Sequence, residues 1–263
     1  FKYEVSANLS TLRNRVTSLG FGTDSYISGS YITKVGEEIG QFYGWVYEGI
    51  ARTQEVLDNH ATQEGAQIGD CLYKDVNNDG KVDSEDQVVL GSGMPKINFG
   101  LNARFEYKRF DLSIATFGAL NYHVSDDIYN SLNSCYGWGN KEVGMLDANR
   151  FSEDGSTYLS NVPRTYVTNS ASLGWNDLFS SRKIQNAAYW KIANVELGYN
   201  FPDKWFDKYV SDVRFYISAQ NLHTFTGYHG YNVDYAGGTF TPGYNFCSYP
   251  TARTFMCGVH FTF

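Results

Sequence analysis

The chain ends Arg253-Thr254-Phe255-Met256-Cys257-Gly258-Val259-His260-Phe261-Thr262-Phe263. In an extended strand, side chains alternate between the two faces. Phe255, Cys257, Val259, Phe261 and Phe263 then share one face, and Thr254, Met256, Gly258, His260 and Thr262 the other. One face is apolar and aromatic, and the other is mostly small or polar. The same stripe recurs upstream. Phe1, Tyr3, Val5, Ala7 and Leu9 alternate with Lys2, Glu4, Ser6, Asn8 and Ser10. Ile97, Phe99, Leu101, Ala103, Phe105 and Tyr107 alternate with Asn98, Gly100, Asn102, Arg104, Glu106 and Lys108.

After a tight turn near Lys108-Arg109, Phe110, Leu112 and Ile114 oppose Asp111 and Ser113. Tyr189, Ala193, Val195, Leu197, Tyr199 and Phe201 are set against Trp190, Asn194, Glu196 and Asn200, and Val213, Phe215, Ile217 and Ala219 against Arg214, Tyr216, Ser218 and Gln220. A less regular segment runs from Ile39 to Ile50. Seven alternating segments result.

Composition agrees with an all-β chain. Of the 263 residues, 17% are aromatic, with 26 Gly and only 5 Pro, which suits pleated surfaces and turns. No window approaches the roughly 18 unbroken apolar residues of a membrane helix. The mean hydropathy of −0.38 does not separate a soluble sheet from a membrane barrel, because a barrel strand needs an apolar residue only at every second position. A net charge of −7 argues against a nucleic-acid partner. Cys71, Cys135, Cys247 and Cys257 lack zinc spacing, and their disulfide state stays open.

Two architectures fit the stripes: a soluble β-sandwich with its apolar face inward, and an antiparallel transmembrane β-barrel segment with its apolar face toward lipid. Lys, Glu, Arg, Asp, Asn and Gln on the polar faces suit a wide aqueous lumen. Short and long connections alternate as in outer-membrane barrels, with Thr17 to Glu38 long for the short-turn rim. Seven strands place Phe1 and Phe263 at opposite rims, whereas bacterial single-chain barrels have an even strand number. On that count the chain is incomplete, and another polypeptide pairs with the edge at Phe1 to Thr11.

Several blocks resemble the SusC/RagA-like TonB-dependent outer-membrane transporters. They are Tyr249-Pro250-Thr251-Ala252-Arg253-Thr254-Phe255 with the following Gly258 to Phe263, the run Ala188 to Pro202, the run Val213 to Leu222, Ile39 to Gly44, and the loop Gly69 to Gly91. The resemblance covers essentially the whole chain. It implies that residues 1–263 are the C-terminal part of a plugged barrel of about 22 strands, with long extracellular loops and without the plug domain. It further implies import of glycans or peptides in a Gram-negative outer membrane, coupled to TonB through the absent N-terminal part. A SusD-like lipoprotein would close the mouth. No enzyme activity is implied, and a terminal Phe such as Phe263 serves barrel insertion.

Asp75-Val76-Asn77-Asn78-Asp79-Gly80-Lys81-Val82-Asp83-Ser84-Glu85-Asp86 is similar to a twelve-residue calcium loop. Its ligands would be Asp75, Asn77, Asp79, the Lys81 carbonyl, Asp83 and Asp86, with Gly80 permitting the turn. A solvated, capped turn is the other reading. His60, His123, His223, His229 and His260 have no ligand spacing. No nucleophile or acid/base motif appears. Tyr136, Trp138, Trp175, Tyr231 and Tyr235 are candidates for stacking on cargo, as is Tyr244, against plain loop packing. The competing function is a soluble extracellular carbohydrate-binding sandwich carrying a calcium loop.

Overall fold

The two-residue turn Lys108-Arg109 closes a hairpin whose last pair is Tyr107 with Phe110. Lys108 adopts φ 56° there, the left-handed conformation that matches turn twist to strand twist. The computed structural model describes residues 1–136, 139–165, 171–202, 205, 212–234 and 237–262. The hairpin belongs to a six-stranded antiparallel sheet of β1 (Lys2–Thr11), β2 (Ile97–Tyr107), β3 (Phe110–Leu120), β4 (Tyr189–Asn200), β5 (Asp212–Thr226) and β6 (Thr254–Thr262). These strands stand side by side in chain order. Each is long enough to cross a bilayer as a tilted barrel strand.

Register carries the stripes across the whole sheet. Val5, Ala103, Ile114, Val195, Ala219 and Phe255 form one transverse row, and Tyr3, Phe105, Leu112, Leu197, Ile217 and Cys257 the next. This face is not sealed: Leu9 is 71% exposed, Ile217 47% and Phe255 69%. Among the described residues no second layer covers Leu101 or Phe215, which are also exposed. A sandwich would have buried them. The all-β barrel-segment architecture therefore holds.

Two expectations change. The segment Ile39 to Ile50 does not join the wall. It breaks into Gln41–Gly44 and Tyr47–Ile50, which pair with Val88–Ser92 and Cys71–Tyr73 respectively. Four residues are too few to span a membrane, and Phe42 is fully buried rather than half-exposed. The sheet thus has six strands among the described residues. Lys2 and Thr262 then lie at the same rim as the Lys108-Arg109 turn, and the odd-number argument for incompleteness falls. Thr17 to Glu38 is no exception either, since it lies within the single long excursion between β1 and β2.

The second change is in β4. A bulge shifts its register between Ile192 and Asn194 against both neighbours. One inserted residue sends every preceding side chain to the opposite face. Tyr189, opposite Ala119, and Lys191, opposite Phe117, therefore belong to the polar side rather than to the Val195 stripe.

All three long excursions leave from one rim and fold into a layer of their own. It contains the sheet Ser25–Ser28, Tyr31–Lys34, Gln41–Gly44 and Val88–Ser92, the pair Tyr47–Ile50 with Cys71–Tyr73, and a three-stranded sheet of Gln185–Asn186, His123–Asp126 and Tyr244–Asn245. The buried apolar cores sit here. One joins Ala119, Tyr122, Val124, Ala187, Tyr228 and Val233. The other joins Cys71, Tyr73 and Val82, with Trp45, Tyr47 and Trp175 packed against it.

Candidate functional site

The polar face of the wall divides by height. Near the short-turn rim it is charged. Arg214, on β5, donates to Asp111 on β3 and to Glu196 on β4, the latter at 2.7 Å, and Asn200 donates to Asp111 at 3.3 Å. Arg104 lies 3.1 Å from Glu106, which also faces Lys2 at 3.8 Å. Gly198 makes the first cluster feasible. A Cβ there would come within 2.4 Å of the Arg214 guanidinium and 2.5 Å of the Asp111 carboxylate.

Two levels further from that rim the polar face carries an uncharged row, with Lys191 and its partner Asp234 above it. Ser6, Asn102, Ala115, Asn194, Gln220 and Thr254 form one transverse row in register. Shallow cavities of about 260 and 350 Å³ open beside it, lined in part by Asn8, Asn98, Asn102 and Asn194, with Glu4 and Arg104 at the charged end of the smaller one. Carboxamides both donate and accept, so this band suits an uncharged hydrogen-bonding ligand.

Loop geometry is set by buried polar hubs. Asp70 is fully buried and grips Arg164 at 2.6 and 3.0 Å, with Asn176 donating to it at 2.7 Å and the Gln67 N–H at 2.9 Å. Asp126 caps the helix Asp127–Leu132 through the Tyr129 N–H at 2.8 Å and accepts from the Tyr228 hydroxyl and Asn245. Burial, reinforced by the Asp126 carboxylate, pushes the Tyr228 hydroxyl well above its usual range. These hubs tie the three excursions together.

The calcium-like loop is closed by its own backbone. Asp75 accepts from the N–H groups of Asn78 at 2.6 Å and Gly80 at 2.8 Å, Asn77 from Asp79, and Asp79 from Lys81. Asp83 and Asp86 form a capping box on the turn Ser84–Asp86. Asp86 is buried and accepts from Val76, Asn77 and Asp83. Burial raises its pKa, but the three N–H bonds together outweigh this and hold the carboxyl below its ordinary 3.8. Among the described residues, no three His, Cys, Asp or Glu side chains converge in metal-holding geometry. The donors are hard oxygens of the kind calcium takes, in a loop already curved around them.

Of the aromatic candidates, Trp175 packs 6.2 Å from Tyr73 and donates to the Glu64 carbonyl at 2.8 Å. Tyr136 is partly buried, and Tyr231 stands 62% exposed. Trp138 and Tyr235 lie outside the described residues, as does Phe263. All four cysteines are free. Burial pushes the Cys71 thiol up to about 12 and that of Cys135 to about 11, so neither is a thiolate at neutral pH.

The pattern of residues did not single out Asp111 with Arg214, or Asp70 with Arg164. Each pair joins positions some hundred residues apart, and nothing local marks the partners.

No protein-family model matches the chain. Curated proteins do. It is 28% identical, over all its length, to TonB-dependent receptor P3 of Formosa agariphila, of which it covers 27%. It is 24% identical to TonB-dependent receptor SusC of Bacteroides thetaiotaomicron, again over all its length, covering 24% of that protein. The chain thus spans about a quarter of the length of the curated relatives it matches. Among solved structures, that of the RagAB peptide transporter superposes on 99% of the chain with a TM-score of 0.78 at 20% identity, using 27% of its own chain. Sequence likeness and fold together support reading the chain as a barrel-wall segment of a SusC/RagA-like TonB-dependent transporter.

Proposed function

We propose that the chain forms part of the wall and outer loops of an outer-membrane importer in a Gram-negative bacterium. Uptake would be driven through TonB by parts of the protein outside this chain. The observation that carries this reading is the in-register apolar stripe, exposed over six strands, with short connections at one rim and folded excursions at the other. Unpaired β1 and β6 edges cannot stand in hydrocarbon, since every backbone N–H and C=O there needs a partner. The remainder of the same barrel supplies those partners, and lipid covers the stripe.

Cargo is a glycan or a peptide, admitted with a SusD-like lipoprotein over the mouth. The uncharged amide row on the polar face favours a neutral hydrogen-bonding cargo at that level. The role proposed is passage rather than chemistry, in keeping with relatives named TonB-dependent receptors and a structural neighbour named a peptide transporter. The test is deletion of the full-length gene and its restoration in the native host, with growth measured on single glycans and peptides as sole nutrient. Growth independent of the gene on all of them, or recovery of the protein in the aqueous fraction, would sink the reading.

Calcium at the Asp75–Asp86 loop is a separate proposal, resting on donor chemistry and order. Its role would be to stiffen an outer loop. Limited proteolysis of the full-length protein with calcium or EGTA tests it: calcium should slow cleavage in this loop, and the effect should vanish in Asp75→Ala.

A further inference from the structure

Between β1 and β2 the chain makes a short hairpin, Ser25–Ser28 with Tyr31–Lys34, closed by the turn Gly29-Ser30 and regular in register. Its first strand is the edge of the four-stranded loop sheet. Residues of an antiparallel strand bond alternately toward and away from their partner strand. The Val35 N–H donates to the Asp24 carbonyl at 2.9 Å, so Asp24, Tyr26 and Ser28 bond inward. The backbone N–H and C=O groups of Ser25 and Ile27 then point outward, and among the described residues nothing bonds to them. Exposed edges are commonly blunted by Lys, Pro or a bulge. Ser25-Tyr26-Ile27-Ser28 carries none of these, and Tyr26 and Ile27 are both exposed, one on each face.

Beside this edge, on the face of Tyr26 and Ser28, lies a cleft of about 510 Å³, within the size range of small-ligand pockets. Leu19, Tyr26, Ser28, Tyr31, Thr33 and Phe240 line it, and no charged side chain does so among the described residues. Its floor is held in place. The Tyr31 ring packs 5.0 Å from that of Phe42, its cross-strand neighbour, and the Thr33 hydroxyl accepts from the Gly40 N–H at 3.1 Å. Gly40, at φ 63°, lets the far wall approach: a Cβ there would come within 2.6 Å of Pro242 and 2.8 Å of the Phe240 carbonyl. The rim is open, with Tyr26 57% and Phe240 58% exposed. Tyr31, by contrast, is only 8% exposed, and its hydroxyl has no hydrogen-bond partner. A buried hydroxyl without a partner is costly. Tyr31 lines the cleft, so a ligand seated there can supply one.

We propose that this corner of the loop layer is a peptide subsite. An extended stretch of incoming peptide pairs with the outward groups of Ser25 and Ile27 as an added strand, and one uncharged side chain enters the cleft. In strand addition, backbone bonds supply affinity, and pockets for alternate side chains supply selectivity. A side chain on the added strand stands about 5 Å from Tyr26, at the rim. An aromatic side chain with a polar tip, such as tyrosine, matches the apolar walls and offers the Tyr31 hydroxyl a partner. A carboxylate or ammonium group would lose its water there with no counter-charge to replace it. The inference rests on the reading that these loops stand on the side from which cargo arrives. It adds peptide as the class recognised at this point.

The test uses the full-length transporter in detergent, with hydrogen–deuterium exchange read by mass spectrometry and binding read by calorimetry. The probes are acetyl-Ala-Ala-Tyr-Ala-Ala-amide, its Phe and Glu counterparts, and the tyrosine peptide N-methylated at every alanine. The amides of Ser25 and Ile27 should exchange fast in the free transporter. The tyrosine peptide should slow them, and the Glu and N-methylated peptides should not. Tyr31→Phe deletes only an unpartnered hydroxyl, so the fold is kept. It should weaken the tyrosine peptide about fivefold, the size of one neutral hydrogen bond, and leave the Phe peptide unchanged. Slow exchange in the free transporter overturns the proposal, because the edge is then already covered by another part of the assembly. Absence of slowing by the tyrosine peptide overturns it, as does equal slowing by the N-methylated one. Unchanged tyrosine-peptide binding in Tyr31→Phe removes the cleft from the subsite and overturns it as stated. Nutrient uptake that persists while the slowing fails strikes this inference alone and leaves the transport reading standing.

Discussion

The wall and the loop layer solve opposite solvent problems with the same backbone geometry. In the loop layer, Phe42, Tyr73 and Tyr158 are essentially inaccessible, and polar hubs such as Asp70 are fully bonded inside. In the wall, Val5 is 55% exposed and Phe261 51%, while the charges gather on the other face. One region hides its apolar groups from water, and the other presents them outward. That inversion within one chain is what a lipid boundary demands.

The largest test lies in the loop layer. Asp70→Ala strands the Arg164 guanidinium in a buried site and is expected to cost about 3–5 kcal/mol, read as a loss of protease resistance across the outer loops of the full-length protein. The wall strands should keep their protection, because they do not depend on that hub. Uniform loss over both regions would erase the division.

Next in size is a pair of neighbouring substitutions on β2. Leu101→Arg puts a charge on the apolar face near mid-strand, with an expected cost of about 2–4 kcal/mol in lipid. Asn102→Arg points to the polar side and should cost less than about 1 kcal/mol. Urea titration of the full-length protein in bilayers compares the two. Equal costs would mean that the stripe does not face lipid.

A pH effect separates the calcium-like loop from the wall. Asp86 has a lowered pKa, so its stabilisation is fully present above the ordinary 3.8 and is lost as pH falls below that toward the lowered value. Proteolysis with an acid protease between pH 5 and roughly pH 2.5 should open this loop only at the acid end. Asp86→Asn should already open it at pH 5. The smallest effect belongs to Lys2→Ala. Its 3.8 Å pair with Glu106 joins two solvated side chains, and less than about 1 kcal/mol is expected.

The wall was legible because each strand carries a local signal. A period-two apolar stripe identifies β1, β2, β3, β5 and β6 without reference to anything distant. β4 was legible only below its bulge, since an inserted residue at Ala193 reverses the faces of Tyr189 to Ile192 and leaves no compositional trace. Ile39 to Ile50 misled because short loop strands alternate too; what they lack is length. The loop hubs were illegible for a different reason. Arg164 reaches Asp70 across |i−j| of 94, and Arg214 reaches Asp111 across 103. Such pairs are specified by how excursions dock, and docking leaves no periodicity.

The Lys108-Arg109 turn bears on how the wall is built. It and the connection after Asn200 make β2–β3 and β4–β5 the two sequence-local pairings. Every other contact in the sheet must wait for a long excursion to close. Closure entropy grows with the free length of chain, and distant pairings slow folding. Excursions that condense together around their shared cores are effectively shorter. The outer loops would then act as clasps during biogenesis, bringing two preformed hairpins edge to edge before lipid is reached.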